Sequence, residues 1–421
     1  MDFSFSPDDE AFRARARNWL AQRLDGDGPF ADLRTSAGTS PGTNGGTATA
    51  TATAISAHGL DPDRRRAWER ELGRGGWIGL GWPRTRSVGS QDGSAETPLS
   101  RQVVWAEEYA RAAGPAPLGI VGEHLLAPTL LRHGTPDQRK RFLPRIASGE
   151  EIWCQGYSEP GAGSDLAAVR TTGSRHADGS WRVTGQKTWT SLSQWAEWCF
   201  VLARTEPGSQ RHHGLSLLLV PMDQPGRIEV RPIRQLDGDS EFSEVFFDRA
   251  EAAAEHVLGK PGDGWRVAMD LLSFERGVGM LARQIGYVRE LDEVVSTARA
   301  SGALNDPVLR ERLTRQWAEL HVMRCNALRT LGTAEPGTAA VAKLVWGGWH
   351  QRLGELSLQV QGASAALGRG PHDPAEYRLT QSQHRMLFSR ADTVYGGSDQ
   401  IQRNLIAERV LGLPRESRTA P

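Results

Sequence analysis

The chain has 421 residues, with 50 Lys and Arg against 50 Asp and Glu, so it exceeds one ordinary domain and carries no global field to recruit nucleic acid or an acidic membrane. Cys154, Cys199 and Cys325 lack CxxC spacing and are odd in number, which argues against a disulfide framework or a zinc site. The opening run MDFSFSPDDEAFRARARNWLAQRL has no apolar core of a signal peptide and no apolar run reaches membrane-span length, so the expectation is a cytoplasmic, enzyme-like protein with reduced thiols and no metal.

Ser6 followed by Pro7, Asp8, Asp9 and Glu10 reads as a helix cap with acids at the positive dipole end, opening a helix to about Leu24 in which Phe12, Ala16, Trp19 and Leu20 share a face. Residues 25–58 turn to Gly, Thr, Ala and Ser, including TNGGTATATATA, and are expected to form a disordered insertion because they offer too little apolar surface to offset ordering. A helix resumes over 61–72, and GGWIGLGWP reads as a buried turn and a short extended piece closed by Pro83. Helices follow over 99–112, 117–133 and 136–148, with Leu125, Leu126, Leu130 and Leu131 as bundle core and His124 and His133 as polar edge residues.

From residue 151 the period shortens. WCQGYSE, VRTTGSR, SWRVTGQKTWTS, WCFVLART, GLSLLLVP, IEVRPI and SEVFFDRAEA are strand-like runs separated by turns, which predicts a compact antiparallel β domain ending near Lys260. Helical spacing returns over 265–301, 307–331, 336–367 and about 399–410. The expected organisation is a helical domain over 1–150, a β domain over 151–260 and a second helical domain over 261–421.

Two polar stretches stand out in the β domain. In WCQGYSEPGAGSD, Trp153 to Asp165, a strand is ended by Pro160, and Gly161, Ala162 and Gly163 let the backbone approach a ligand closely. In GQKTWTS, Gly185 to Ser191, Trp189, Thr190 and Ser191 end a strand with an indole and two hydroxyls, suited to flanking a flat cofactor and bonding its edge. With YGGSDQIQR, Tyr395 to Arg403, and the NLIAERVLGLPRE that follows, these runs resemble the flavin-binding signature of the acyl-CoA dehydrogenase family across almost the whole chain except 25–58.

The resemblance implies an α+β multidomain fold, with an N-terminal helical domain, a central antiparallel β domain and a C-terminal four-helix bundle, and FAD between the last two. It assigns Gln155, Tyr157 and Ser158 to the isoalloxazine edge, Gly163 and Ser164 to the diphosphate side, with Ser164 also near substrate, and Trp189 and Ser191 to the ring face. Ser398 and Gln400 match further flavin contacts. At the adenine end, Gln359, Gly362 and Ala363 match a contact made to a neighbouring subunit, although many members have Gly-Gly there. Arg299 stands for an Arg of the same region, no Phe follows it in RASGALNDPVLRERL, and Glu311 falls where a Gln is usual.

Desaturating a thioester requires removal of the α-proton by a carboxylate in a dry cleft while the β-hydrogen leaves as hydride. Many family members carry that carboxylate directly after the Tyr of a YEGT motif, where this chain has Gly396. A subset that includes isovaleryl-CoA dehydrogenase places it before an Arg on a C-terminal helix, and LLSFERG matches with Glu275 as base and Arg276 beside the substrate. Gly396 then leaves room for a branched or bulky acyl group, and its N–H is free to meet the thioester carbonyl. The expected partners are an acyl-CoA or acyl-carrier thioester, an electron-transfer flavoprotein as acceptor, and either three more copies in a homotetramer or a homologous subunit. A flavin monooxygenase or oxidase and an FAD-sharing non-catalytic subunit are the competing readings.

Overall fold

The computed structural model describes residues 5–34, 62–83, 97–274, 279–330, 337–367 and 379–415. Glu275, Arg276 and residues 35–58 of the low-complexity segment lie outside the described residues. Helix α1 (Pro7–Leu24) opens on a capping box: the Ser6 hydroxyl accepts from the Asp9 N–H, and the Asp9 carboxylate accepts from the Ser6 N–H. With α2 (Pro62–Arg74) and α3 (Leu99–Arg111) it encloses Phe12, Leu20, Trp68 and Trp77, the last stacked on Trp105 with ring centroids 4.1 Å apart.

The expected disordered insertion begins too early. Residues 25–34 continue from α1 into a single 3₁₀ turn, Ala31–Leu33, and Phe30 and Leu33 are buried in the core of α1 and α2. Two apolar residues suffice because they close an existing core instead of building one, and Arg64 of α2 fastens the turn by donating to Asp32 and to the Pro29 carbonyl. The helix expected over 117–133 starts at residue 120 and contains a turn of π-helix, Gly122–Leu126, before α4 (Ala127–His133). The wide turn sits just ahead of Pro128, which has no N–H to continue regular pairing. Helix α5 (Pro136–Ala147) follows with a Thr135–Gln138 capping box.

The middle of the chain is one eight-stranded sheet: β1 (Trp153–Gly156), β2 (Thr172–Arg175), β3 (Trp181–Ser191), β4 (Trp198–Arg204), β5 (Leu215–Pro221), β6 (Ile228–Ile233), β7 (Phe242–Ala252) and β8 (Val257–Leu258). The order is β6-β7-β3-β2-β4-β5-β8, and β1 also pairs with β4. The sheet is antiparallel except that β1 and β2 each meet β4 in parallel, so the all-antiparallel expectation needs that correction. The two exceptions arise from long-range pairing that no hairpin turn signals. Leu217 and Leu219 face one core shared with α4 and α5, while Leu218 and Val220 face a second, which is why β5 reads as unbroken apolar sequence. Cys154 and Cys199 lie opposite each other as free thiols, and burial, with the Cys199 neighbour adding to it, drives the Cys154 thiol pKa up and leaves it unreactive.

The C-terminal part is helical: α6 (Gly264–Phe274), α7 (Gly279–Ala300), α8 (Pro307–Thr330), α9 (Thr338–Gln359), α10 (Gln381–Ser389) and α11 (Asp399–Leu405). Helices α7 to α10 form a bundle around Tyr287, Leu291, Trp346, Trp349 and Leu353. Sequence periodicity misses α10, whose QSQHRMLFS is mostly polar and is started by a Thr380–Gln383 capping box. The helix expected over 336–367 ends at Gln359, with a 3₁₀ turn, Gly362–Ala366, beyond it. No helix among the described residues is long and apolar enough to cross a membrane.

Ion pairs tie the layers together. Glu107 of α3, buried, accepts from Arg13 at 2.7 Å and from Arg324 of α8 at 2.9 Å. His133, expected at a polar edge, is half-buried, with its ring turned in to meet Asp270 of α6 at 2.7 Å. His384 of α10 lies 3.3 and 3.5 Å from Asp237 and Asp239 in the β6–β7 connection. Burial opposes its charge, but the two carboxylates outweigh burial and raise its pKa to about 9.

A folded-state pKa above the unfolded value means that the strap stabilises fully below the usual histidine range and weakens as pH rises through about 9. The stability difference between the native protein and His384→Gln, from urea unfolding at several pH values, should therefore be largest near pH 6 and vanish above pH 9. Leu33→Ala should lower unfolding free energy by about 2 to 5 kcal/mol, and a change within error would show that the 3₁₀ turn is not part of the core.

Candidate active site

One buried ammonium fixes the polar end of the sheet. Lys187 of β3 has no exposed side-chain surface, and its Nζ donates to the Tyr157 carbonyl at 3.0 Å, the Leu202 carbonyl at 2.8 Å and Glu159 Oε1 at 2.8 Å. Glu159 in turn accepts from the Arg170 and Thr171 amides at 2.7 and 2.9 Å. Burial opposes ionisation of Glu159, yet Lys187 and these donors outweigh it and hold the carboxyl below its usual range. Burial pushes the Lys187 pKa down against the pull of Glu159. Both residues lie in the stretches singled out in the sequence, Glu159 in WCQGYSEPGAGSD and Lys187 in GQKTWTS, but the sequence reading did not pair them, because the contact spans 28 positions.

The residues matched to the isoalloxazine edge gather around that pair. Gln155 is half-buried on β1, Tyr157 is buried, and the Ser158 carbonyl accepts from the Thr188 N–H of β3 at 2.9 Å. Between Lys187 and Thr190 the β3–β7 register shifts, and Trp189 takes φ 58°, a left-handed conformation costing about 1 to 2 kcal/mol for a residue with a Cβ. The bulge turns the Trp189 indole outward, 57% exposed, while Thr190 and Ser191 stay buried. Gly163 and Ser164 are exposed on the turn after Pro160, and a Cβ at Gly161 or Gly163 would meet nothing within 4 Å. Packing therefore does not require glycine at either position.

The C-terminal motif approaches the same place. Phe242, opposite Ser191 in register, has its ring centroid 5.9 Å from that of Trp189, and it packs with Phe388 and Tyr395 across the seam between sheet and bundle. Beyond Tyr395, Gly396 and Gly397 take φ 61° and 85°, which a side chain would strain. Gln402 of α11 donates to both their carbonyls at 3.2 Å, and the Ser398 hydroxyl caps α11. Gln400 is exposed one residue into that helix. Phe242 and Phe388 escaped the sequence reading because each looks like ordinary core.

The residues matched to the adenine end are not brought to this seam. Gln359, Gly362 and Ala363 lie at the C-terminal end of α9, whereas Lys343 of the same helix touches the turn before Tyr395. Sixteen residues at about 1.5 Å each separate Gln359 from Lys343 by roughly 24 Å. Arg299, exposed at the end of α7, is on that far side, where Ser301 donates to the Val360 carbonyl at 2.6 Å. Arg312, which the sequence reading passed over, donates to Gln359 at 2.5 Å, and Glu311 is engaged with Arg315 at 2.6 Å.

The chain matches the family models described as acyl-CoA dehydrogenase N-terminal, middle and C-terminal domain over residues 48–150, 154–250 and 262–411. It belongs to the acyl-CoA dehydrogenase family. Acyl-CoA dehydrogenase IpdE1 of Mycolicibacterium smegmatis is 50% identical over 417 residues, covering 97% of this chain and 98% of that protein. The protein of the same name from Mycobacterium tuberculosis is 49% identical, covering 98% and 99%. Among solved structures, the Tcur3481-Tcur3483 steroid ACAD superposes with a TM-score of 0.78 at 27% identity, covering 99% of this chain and all of that one. The ChsE4-ChsE5 complex from Mycobacterium tuberculosis gives 0.75 at 25% identity, covering 99% and 100%. The chain is therefore an oxidoreductase acting on CH–CH groups.

The family is FAD-dependent, and the residues present fit a flavin. Thr190 Oγ1 is buried with no hydrogen-bond partner among the described residues, the Trp189 indole is more than half exposed, and Gly161 and Gly163 have open space where a Cβ would stand. A flat ring with polar edge atoms meets each of these needs. If the Lys187 anchor holds the edge, Lys187→Met in this dehydrogenase should cost about 3 to 5 kcal/mol by stranding Glu159 and two carbonyls. The variant should also purify with less flavin per chain, read from the ratio of visible to ultraviolet absorbance; full flavin content would show that the anchor is not needed at the edge.

Proposed function

We propose that this chain catalyses FAD-dependent α,β-desaturation of a bulky acyl-CoA. The observation that carries the proposal is the aromatic seam, where the outward Trp189 and the Tyr395–Gly397 turn meet at Phe242 and Phe388. Near full-length likeness to proteins named acyl-CoA dehydrogenase supports dehydrogenation over oxygen chemistry on the same fold. Gly396 in place of a carboxylate, and likeness to a solved steroid ACAD, support a branched or alicyclic acyl group.

In this reading bound FAD supplies the acceptor for the β-hydrogen. Glu275 removes the α-proton, with Arg276 beside it, and Ser164 on its exposed turn contacts substrate. Gln155, Tyr157, Ser158, Trp189 and Ser191 border the ring, and Ser398 and Gln400 approach it from α11. The Gly396 N–H donates to the thioester carbonyl as negative charge grows on oxygen, a contribution of roughly 3 to 4 kcal/mol for one well-aimed donor. Electrons then pass to an electron-transfer flavoprotein. Arg299, Gln359, Gly362 and Ala363 serve the adenine end of a neighbouring subunit's cofactor; the altered pattern there, and likeness to a solved two-protein complex, favour a homologous partner over a homotetramer.

Anaerobic mixing with a panel of acyl-CoAs should bleach the flavin, fastest with bulky acyl groups. Glu275→Gln should keep its flavin and slow that bleaching by about 10²- to 10⁴-fold. Unchanged bleaching would remove Glu275 from the role of base, and a flavin that no thioester bleaches would overturn the dehydrogenase reading.

A further inference from the structure

The turn that carries Gly396 is held from below by buried charges. His350, in the middle of α9 and 3% exposed, has carboxylates at both ring nitrogens: Asp392 Oδ2 at 2.5 Å from Nδ1, and Glu290 Oε2 of α7 at 3.0 Å from Nε2. Asp392 is gripped twice more, its Oδ1 accepting from the Tyr395 hydroxyl and its main-chain carbonyl accepting from Lys343 Nζ. Glu290 also accepts from Arg385 Nε of α10 at 3.0 Å, and Arg385 reaches Glu293 at 2.7 Å. The remaining groups around the imidazole are the Tyr287 ring at 5.0 Å, with Arg283 of α7 and Asp399 of α11 beside Lys343.

A neutral imidazole has one donor and cannot satisfy two carboxylates; the imidazolium satisfies both. Burial opposes that charge, but Asp392 and Glu290 outweigh it and raise the His350 pKa to about 9, while burial of Glu290 is overcome by His350 and Arg385, which hold its carboxyl at about 2. A charged, fully paired chain thus runs from α7 through α9 to the residue three positions before Tyr395. Above it stands the least constrained backbone in the seam, two successive glycines at positive φ. Tyr395 is moored to Asp392 on one side and Gln402 holds the glycine carbonyls on the other, while no described group accepts from the Gly396 N–H.

We infer that the Glu290–His350–Asp392 chain is a positioning device for the reaction, fixing the Tyr395–Gly397 turn so that the Gly396 N–H is already aimed where the enolate oxygen forms. The inference rests on the proposed desaturase reading. A donor of this kind accelerates the reaction only if its direction is set beforehand, and two adjacent glycines cannot set it themselves. His350 and Asp392 act through Gly396 and contact no substrate.

The test uses the flavin-loaded enzyme and a 3-thia-acyl-CoA, in which sulfur replaces the β-carbon. Such a ligand can lose its α-proton but has no β-hydrogen to give up, so it halts as the bound enolate, whose contact with oxidised flavin produces a long-wavelength absorbance. The pH at which that band appears measures enolate stabilisation directly. His350→Gln and Asp392→Asn should move it upward by about one unit or more, a tenfold weaker hold on the anion, with affinity for the neutral ligand changed less than about threefold and kcat falling while KM holds. A purely structural role would lower the melting temperature and leave the ionisation where it was, and that result overturns the inference. If His350→Gln fails to retain flavin, Tyr395→Phe removes only the mooring hydroxyl; it should shift the ionisation in the same direction by a smaller amount, and no shift is again a refutation. Absence of the band in the native enzyme would instead overturn the desaturase reading, and the inference with it.

Discussion

The Lys187 ammonium inside the β domain is the constraint on which the rest of the site depends. It collects three acceptors from two segments, the Tyr157 carbonyl and Glu159 in the turn after β1 and the Leu202 carbonyl of strand β4, and Glu159 passes the constraint on to the amides that lead into β2. A buried cation with one bond missing is far more costly than an apolar residue in its place, so these segments can exist in only one arrangement. Because Lys187 points inward, the phase of β3 is fixed there, and the register shift that follows is what sends Trp189 outward while Thr190 and Ser191 remain inside. The strain at Trp189 is tolerated because residues on both sides are over-determined, one by three polar bonds and the other by pairing with β7.

The other wall of the cleft is built on the same principle from different elements. There the anchor is His350, and the flexible part is a pair of glycines instead of a bulge. Between the two rigid walls lies an aromatic contact, Phe242 against Phe388 and Tyr395, which is adhesive without being directional. The His384 strap to Asp237 and Asp239 supplies the direction that the aromatic contact lacks. The buried polar groups on either side of the seam, Lys187 with Glu159 and His350 with Asp392, find their partners inside the protein.

Much of this scaffold is legible in the sequence because burial on one face writes a period. Strands β3, β4, β5 and β7 were recognisable from their apolar runs, and the helices from caps such as Ser6-Pro7. Helix α10 was not, since a short helix held by a capping box and by Arg385 and His384 bonds has little apolar periodicity to show. Phe30 and Leu33 were lost for the opposite reason, two apolar residues in a polar stretch whose core belongs to other helices. At the site, Gly161, Gly163 and Trp189 stand out in the sequence, and packing accounts for neither the two glycines nor the exposed indole. Lys187 and His350 look like any surface residue in sequence, and their partners Glu159 and Asp392 lie 28 and 42 positions away.

The geometry of α9 bears on how many chains make one complete site. Lys343 near its start and His350 at its middle support the Tyr395 turn, and its C-terminal end carries Gln359. A straight helix cannot bring those ends together, so a flavin ring at the seam and the Gln359 region of the same chain remain roughly 24 Å apart along the axis. Under the proposed reading, an extended dinucleotide whose ring lies at Trp189 is closed at its adenine end by a different subunit. In that region Arg312 donates to Gln359, no Phe follows Arg299, and Glu311, which falls where the family resemblance implies a Gln, is engaged with Arg315. An adenine stacks on an aromatic ring but has no comparable surface in a solvated Arg–Gln pair, which is why the proposed reading favours a homologous partner over a homotetramer. The two ends of α9 would then be under different demands, one fixed by the reaction and the other free to change with the partner.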